Sequence, residues 1–195
     1  MTFDESDRHN LLELARTAIR DGLTSPIPLA LPDVPAKGPL AEPGASFVTL
    51  TRAGQLRGCR GTLIPIQPLA ADVASNAFLT AFQDPRFRPL AADELADLAL
   101  EIAVLSPLEA LPPLTEAELL ATLRPNVDGL VIEDAGRRAT FLPKVWTTLE
   151  DPAEFVRELK RKAGLPATYW SRTMRCHRYT TQNFSGAFTL TNRPA

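Results

Sequence analysis

The stretch Leu56-Arg57-Gly58-Cys59-Arg60-Gly61 carries the most unusual composition in this chain, with two glycines and two arginines around a lone cysteine. It follows an apolar run at 47–50 and a turn-forming segment at 52–55, so the three together predict a β-hairpin whose second strand is the quoted stretch. Glycine weakens the interior of a strand unless another group must approach the backbone closely. Gly58 and Gly61 therefore indicate two points of close packing.

A lone cysteine lies in the middle of this predicted strand. Strict alternation of side chains places Arg57, Cys59 and Gly61 on one face, and Leu56, Gly58 and Arg60 on the other. A guanidinium beside a thiol favours the nucleophilic thiolate, so Arg57 and Cys59 form a candidate catalytic pair. The alternative is a small packing residue, which the residue types alone favour because free cysteine is usually buried.

The composition excludes several classes of protein. The chain has 195 residues, of which 45% are hydrophobic and 23% charged, as in ordinary globular domains. The net charge of −2 and the pI of about 5.7 disfavour nucleic-acid binding. No apolar run has membrane-spanning length. Two cysteines form no disulfide framework, so a cytoplasmic location is expected.

No cofactor or metal is expected from the motifs of this chain. It has no glycine-rich phosphate loop and no nucleophile elbow, and two cysteines with two histidines give no zinc-binding spacing. Most of the polar residues therefore have to be interpreted one by one.

Hydrophobic periodicity and turn residues predict helices interspersed with hairpins. The predicted helices lie at about 7–21, 68–84, 115–123 and 151–164, and the predicted strands at about 47–50, 56–61, 98–105, 130–133, 138–142 and 174–179. The proline-rich segment 23–46 is expected to be extended across the surface. Several hairpins with few βαβ units predict an α+β fold with antiparallel sheets.

The second predicted helix ends at Asp84-Pro85, because the residue before proline disfavours helical geometry. Asp84 is then placed to accept hydrogen bonds from loop amides or from Arg86. A structural tether is the favoured interpretation of this pair, with an anion-binding role for Arg86 as the alternative.

Glu101 interrupts an apolar strand at 98–105, and a carboxylate there is costly unless it is paired. The favoured interpretation is a structural ion pair with Arg57 or Arg86. The alternative is a catalytic carboxylate held beside Cys59 as an acid–base group.

Two motifs carry a resemblance to a known family. The stretch at 56–61 resembles the Leu-Arg-Gly-Cys-Ile-Gly signature of the AMMECR-one domain family, and residues 84–90 resemble its second motif, Asp-Pro-Arg-Phe-x-Pro-Leu. The likeness covers about residues 9–185. It implies two subdomains with a cleft between them that the signature faces. The larger is expected at about 1–63 plus 120–195, and the smaller is inserted at about 64–119.

The resemblance also implies a function. Homologues are often encoded beside, or fused to, a Memo-like protein and a radical-SAM enzyme, so the chain is expected to belong to their modification system and to bind a protein or other large substrate. Two classes compete, an enzyme and a non-catalytic scaffold. The candidate catalytic residues are Cys59 and Glu101, and the candidate cleft residues are Arg57, Gly58, Arg60, Gly61, Asp84 and Arg86.

Arg60 departs from the family signature, which has isoleucine at this position. A charge there requires either an edge position from which the side chain reaches water, or a carboxylate partner.

Overall fold

The structure, a computed structural model, describes residues 2–25, 37–112 and 115–188. In these ranges the strands form two four-stranded sheets against which helices pack, so the predicted α+β class is confirmed. The helices are α1 Glu5–Gly22, α2 Leu69–Phe82, α3 Glu116–Thr122 and α4 Pro152–Lys162, with 3-10 turns at Ala92–Asp97 and Pro143–Thr147. The strands are β1 Ser46–Arg52, β2 Gln55–Gly61, β3 Leu98–Leu105, β4 Glu109–Ala110, β5 Gly129–Asp134, β6 Arg137–Phe141, β7 Arg175–Tyr179 and β8 Thr181–Ala187.

The chain divides into two compact units. The first contains the described residues of Met1–Leu105 and Gln182–Ala195, and the second those of Ser106–Thr181. These limits differ from the inserted segment expected at about 64–119. The reason is that α2 packs on β1 and β2, and β3 pairs with β1, so both elements belong to the unit that holds the signature hairpin.

The first unit is built on a sheet with the strand order β2-β1-β3-β8. β1 pairs antiparallel with β2 and with β3, so the predicted hairpin is confirmed. One face of this sheet is apolar, and α2 packs on it while α1 packs on α2. The centre of this core is fully buried and includes Val48, Leu50, Leu100 and Ile102 from the sheet, with Val73 and Ala77 from α2 and Leu11, Ala15 and Ile19 from α1.

Helix α1 begins two residues before its predicted start at residue 7. Asp4 caps it, because the Asp4 carboxylate accepts a hydrogen bond from the Asp7 N–H at 2.8 Å. The predicted extended segment at 23–46 lies partly outside the described residues, at 26–36.

The second unit is built on a sheet with the strand order β4-β7-β5-β6, and it includes the predicted hairpin of β5 and β6. Its core centres on Trp146, whose ring stacks on Phe155 with 3.9 Å between centroids. The Trp146 Nε1–H donates to the Asp128 carbonyl oxygen at 2.7 Å, so the buried indole leaves no unpaired donor.

Both glycines of β2 are points of close packing, as predicted. A Cβ atom on Gly58 would lie 2.5 Å from the carbonyl oxygen of Thr80 in α2. A Cβ atom on Gly61 would lie 2.3 Å from the ring of Phe47 in β1. Nonbonded atoms do not approach this closely. Helix α2 and the Phe47 ring can therefore take their positions only because Gly58 and Gly61 lack side chains.

Replacing Gly58 by alanine should destabilise the protein. The new methyl group meets a backbone oxygen that cannot rotate away, so α2 or β2 has to shift, at a cost of about 1–3 kcal/mol. Urea unfolding measures this loss, and Gln55→Ala, at an exposed position of the same strand, serves as the control and should change stability by less than about 0.5 kcal/mol. Equal midpoints for the two variants would show that α2 does not press on β2.

Candidate functional site

The signature strand β2 is an outer strand, so in the described part of the chain one edge of its backbone faces no further strand. Two side chains from the loop after α2 bind this edge at Cys59. The Cys59 N–H donates to Asp84 Oδ2 at 2.9 Å, and Arg86 Nη2 donates to the Cys59 carbonyl oxygen at 3.3 Å. We call this pair the Asp84–Arg86 clamp, and it fixes the backbone of the candidate nucleophile on both sides.

The clamp is itself held together by strong bonds. Arg86 Nη2 and Nε donate to the two oxygens of Asp84 at 2.7 and 3.0 Å, and the Arg86 N–H donates to Oδ1 at 3.1 Å. The Arg86 guanidinium therefore holds the pKa of Asp84 well below its usual range, against the opposing effect of burial. Asp84 thus has the tether role that its position before proline indicated.

Helix α2 binds the same hairpin through Thr80, which lies in the last turn of the helix. The Thr80 hydroxyl accepts from the Arg60 N–H at 3.0 Å and donates to the Val48 carbonyl oxygen at 3.1 Å. One buried hydroxyl thus links the backbones of β2 and β1. The hydroxyl can reach this position because Gly58 lets α2 come close.

Further along the same side of α2, Asp72 and Asn76 bind the start of β1. Asp72 accepts from the hydroxyls of Ser46 at 2.7 Å and Thr62 at 2.6 Å, and Asn76 Nδ2 donates to the Ser46 carbonyl oxygen at 3.1 Å. Burial raises the pKa of Asp72, while these hydroxyl donors oppose the rise. Asp72, Asn76 and Thr80 recur at every fourth residue, and we call them the polar stripe of α2.

Arg57 does not lie where strict alternation predicted. The register of β1 and β2 shifts between Leu50 and Thr51, and Arg57 is the additional residue, so alternation is interrupted directly before Cys59. The guanidinium instead binds Glu94 in the 3-10 turn, with Nε at 2.8 Å from Oε2 and Nη2 at 3.0 Å from Oε1.

This pair is almost completely buried. The side chains of Arg57 and Glu94 are 11% and 2% exposed, and Arg57 Nη2 also donates to the Arg88 carbonyl oxygen at 3.0 Å. The hydrogen bonds from Arg57 lower the pKa of Glu94 to about 2 and raise the pKa of the guanidinium. Among the described residues, the buried partner of Arg57 is therefore Glu94, rather than the Cys59 thiol or Glu101.

The Cys59 side chain lies on the sheet face opposite the apolar core, and it is partly exposed. Thr49 of β1 lies directly beside it, and the Thr49 hydroxyl donates to Cys59 Sγ at 3.4 Å. The charged group bound at the Cys59 backbone is Arg86, whose pKa is raised chiefly by its hydrogen bonds to Asp84.

Glu101 lies on the same face of the sheet as Cys59, two strands away. In the register, Thr49 is the partner of Cys59 on one side and of Glu101 on the other. Strands lie roughly 4.8 Å apart, so the backbones of Cys59 and Glu101 are roughly 10 Å apart. A ligand lying over Thr49 would therefore lie between Cys59 and Glu101.

The side chain of Arg60 is exposed on the outer strand, so its charge reaches water at an edge, the first of the two situations foreseen for this position. Cys176 and His177 lie in β7, in the second unit. Cys176 is 6% exposed, and burial raises the pKa of its thiol to about 11.

Nothing in the sequence analysis identified Glu94, Thr49 or the polar stripe. The stripe had a readable signal, because Asp72, Asn76 and Thr80 recur at helical spacing inside a helix that is otherwise apolar. Glu94 had none, since its partner lies 37 residues earlier in the chain.

The residues that the structure describes contain no group of three or more His, Cys, Asp or Glu side chains placed to hold a metal ion. Within the same ranges, no helix is both long enough and apolar enough to cross a bilayer.

The fold and the clamp define a class of protein: an α+β protein whose signature cysteine lies on an outer strand fixed by an Asp-Pro-Arg loop. A family model described as AMMECR1 matches residues 12–184, so the chain belongs to the AMMECR1 family and the expected resemblance is confirmed.

Relatives occur in archaea. A protein of Methanothermobacter thermautotrophicus is 36% identical over 176 residues, which cover 89% of this chain and 91% of that protein. A protein of Aeropyrum pernix is 36% identical over 178 residues, covering 87% of this chain and 74% of that protein. The crystal structure of an uncharacterized protein from Pyrococcus horikoshii matches with a TM-score of 0.82 and 32% identity, covering 90% of this chain and 89% of that one.

The Glu94 carboxylate makes stability depend on pH. Its pKa of about 2 in the folded protein lies below the ordinary value of 4.5, so its stabilisation is present above about pH 4.5 and is lost as the pH falls towards 2. With allowance for solvent screening, we expect the free energy of unfolding to fall by on the order of 1–2 kcal/mol as Glu94 becomes protonated. Urea unfolding between about pH 5 and about pH 3 measures it.

The variant Glu94→Gln should be less stable at neutral pH and should show a shallower fall of stability with acid, because the titrating group is gone. Glu42→Gln, at an exposed position of the same unit, is the control and should keep the wild-type pH dependence. Parallel curves for wild type and Glu94→Gln would contradict the assignment of this pH dependence to Glu94.

The two cysteines should differ in reactivity. Cys59 is partly exposed, whereas the buried Cys176 has a pKa of about 11, so we expect iodoacetamide to alkylate Cys59 at least about tenfold faster in the folded protein. Mass spectrometry of the separate peptides gives both rates, and urea provides the control in which both thiols react. A Cys59 that stays inert until urea is added would be a packing residue and not a nucleophile.

Proposed function

We propose that this protein binds a protein or other large substrate over the surface around Cys59, as a component of a modification system with Memo-like and radical-SAM proteins. One observation carries the proposal. The backbone at Cys59 is fixed by the Asp84–Arg86 clamp while its thiol side is partly exposed. A residue that served only packing would be covered, and its backbone would not need hydrogen bonds with both a buried carboxylate and an exposed guanidinium.

The shape of the surface also supports a large ligand. Cys59 and Glu101 are separated by Thr49 on a strand face, so a ligand has to extend over more than one strand to contact both. The neighbouring stretch after β2 exposes apolar side chains, with Ile64 52% and Ile66 79% exposed. Extended contacts of this kind are typical of protein partners.

Two forms of this function remain distinct. As an enzyme, the protein would use Cys59 as the nucleophile, with the Thr49 hydroxyl orienting the sulfur and Arg86 binding the Cys59 backbone. As a scaffold, it would use the fixed strand only as a docking surface. The Thr49–Cys59 hydrogen bond supports the enzyme, whereas the use of Arg57 and Arg86 in buried or clamped ion pairs supports the scaffold.

We place this function in the cytoplasm, because Cys59 and Cys176 are both free thiols and a reducing compartment keeps them so. The net charge of −2 argues against nucleic acid as the large ligand.

Co-purification from the native host tests the proposal. Tagged wild-type protein should retain the Memo-like and radical-SAM proteins of the same genome after mild crosslinking, and so should Cys176→Ala, which removes a buried sulfur from the other unit. Absence of both partners from the wild-type sample would contradict the assignment to this system.

The variant Cys59→Ser then separates the two forms of the function. A variant that keeps its partners but fails to complement a deletion strain identifies an enzyme, because only the chemistry of the sulfur is lost. A variant that complements fully identifies a scaffold. Loss of partners together with loss of complementation would assign Cys59 to the docking surface itself.

A further inference from the structure

A depression with a volume of about 410 Å³ lies beside the turn that joins β1 and β2. Its lining includes three arginines, two apolar side chains and one carboxylate: Arg52, Arg57, Arg88, Leu56, Phe87 and Glu94. We call it the hairpin pocket. Its size lies within the usual range for small-molecule sites, and Cys59 is not part of its lining.

The floor of the pocket contains a guanidinium donor that is open to solvent and has no acceptor among the described residues. Arg57 is only 9% exposed. Its Nε and Nη2 groups donate hydrogen bonds to the Glu94 carboxylate and to the Arg88 carbonyl oxygen. Among the described residues, nothing accepts a hydrogen bond from Arg57 Nη1. A guanidinium that is held rigidly by its other nitrogens and presents one free edge is preorganised to bind an oxyanion.

Two more arginines add positive charge to the rim. Arg88 is exposed, and its side chain makes no hydrogen bond to the described residues. Arg52 is 40% exposed and forms ion pairs with Glu94 at 3.5 Å and with Asp97 at 3.4 Å, so its guanidinium lies at the rim beside the pocket. The single carboxylate of the lining, Glu94, is already neutralised by Arg57, so the pocket keeps an excess of positive charge.

The remaining walls are apolar. Leu56 is 45% exposed although it is a large aliphatic side chain, and the ring of Phe87 lies 5.8 Å from the Arg57 guanidinium carbon. An exposed leucine beside an aromatic ring suits the apolar body of a ligand whose charged end faces the arginines.

We propose that the hairpin pocket binds an oxyanion, phosphate or carboxylate, carried on a flat or apolar body. Arg57 Nη1 and the side chains of Arg88 and Arg52 bind the anionic oxygens, and Leu56 and Phe87 cover the body. The inference stands apart from the function proposed for the Cys59 surface, because it uses other side chains.

The test uses phenyl phosphate and benzoate as probes, with inorganic phosphate for the anion alone, at a constant ionic strength set with sodium chloride. Two-dimensional ¹H–¹⁵N NMR of the full chain follows the amides of Ala53, Leu56 and Phe87 during each titration. We expect saturable shifts at these amides with at least one aromatic probe, and weaker binding of inorganic phosphate because it lacks the apolar body. The tighter of the two aromatic probes identifies the anion as phosphate or carboxylate.

Two variants locate the effect. Arg88→Gln removes an exposed charge without breaking an ion pair, so the fold is kept and the affinity for the preferred probe should fall about tenfold. Arg8→Gln, at an exposed position of α1, is the matched control and should bind as the wild type does. Cys59→Ser should also leave probe binding unchanged, which separates this site from the Cys59 surface.

Absence of saturable shifts at the three amides with all probes would overturn the proposal. So would equal weakening by Arg88→Gln and Arg8→Gln, because that result would show a general charge effect rather than a site.

Discussion

The first unit depends on one set of hydrogen bonds. Helix α2 and the loop that follows it make these bonds to the backbone of the β1–β2 hairpin. An outer strand leaves backbone donors and acceptors without partners, and buried ones are costly. Here Thr80 binds the backbones of both strands, and Asp84 with Arg86 binds the free edge at Cys59. The helix reaches this position only because Gly58 has no side chain. Helix, loop and strand are therefore fixed as one body.

This constraint also determines what chemistry the signature can perform. Two arginines of the motifs are held by carboxylates, Arg57 by Glu94 and Arg86 by Asp84. Their charges are largely balanced by these carboxylates, so the two arginines serve to hold the structure together. The arrangement fixes the position of the Cys59 thiol, because Thr49 orients the sulfur and the clamp holds the backbone. Preorganisation of this kind suits both a nucleophile and a docking surface.

Much of the fold could be predicted from periodicity and turn residues, because these act locally. The signature hairpin, the β5–β6 hairpin and α2 follow from patterns within about ten to fifteen residues. The need for glycine at 58 and 61 and the tether role of Asp84 could also be read from the sequence, since glycine and proline restrict the backbone directly. The partner of Arg57 could not, because one additional residue in β2 interrupts the alternation on which the prediction was based.

Most of the helices and strands, the α+β class and the family could be predicted from the residues alone, whereas β4 and β8 were not predicted and the position of Arg60 was left between two alternatives. Only the tertiary structure decided which charges meet. Glu94 comes to Arg57 from 37 residues away, while Glu101 lies on the other side of Thr49 from Cys59. The physical reason is that local preferences depend on neighbours along the chain, whereas an ion pair depends on convergence in space. Which charged side chains come together depends on the strand register and on how closely α2 packs on the sheet. Neither property can be predicted from a single stretch of residues.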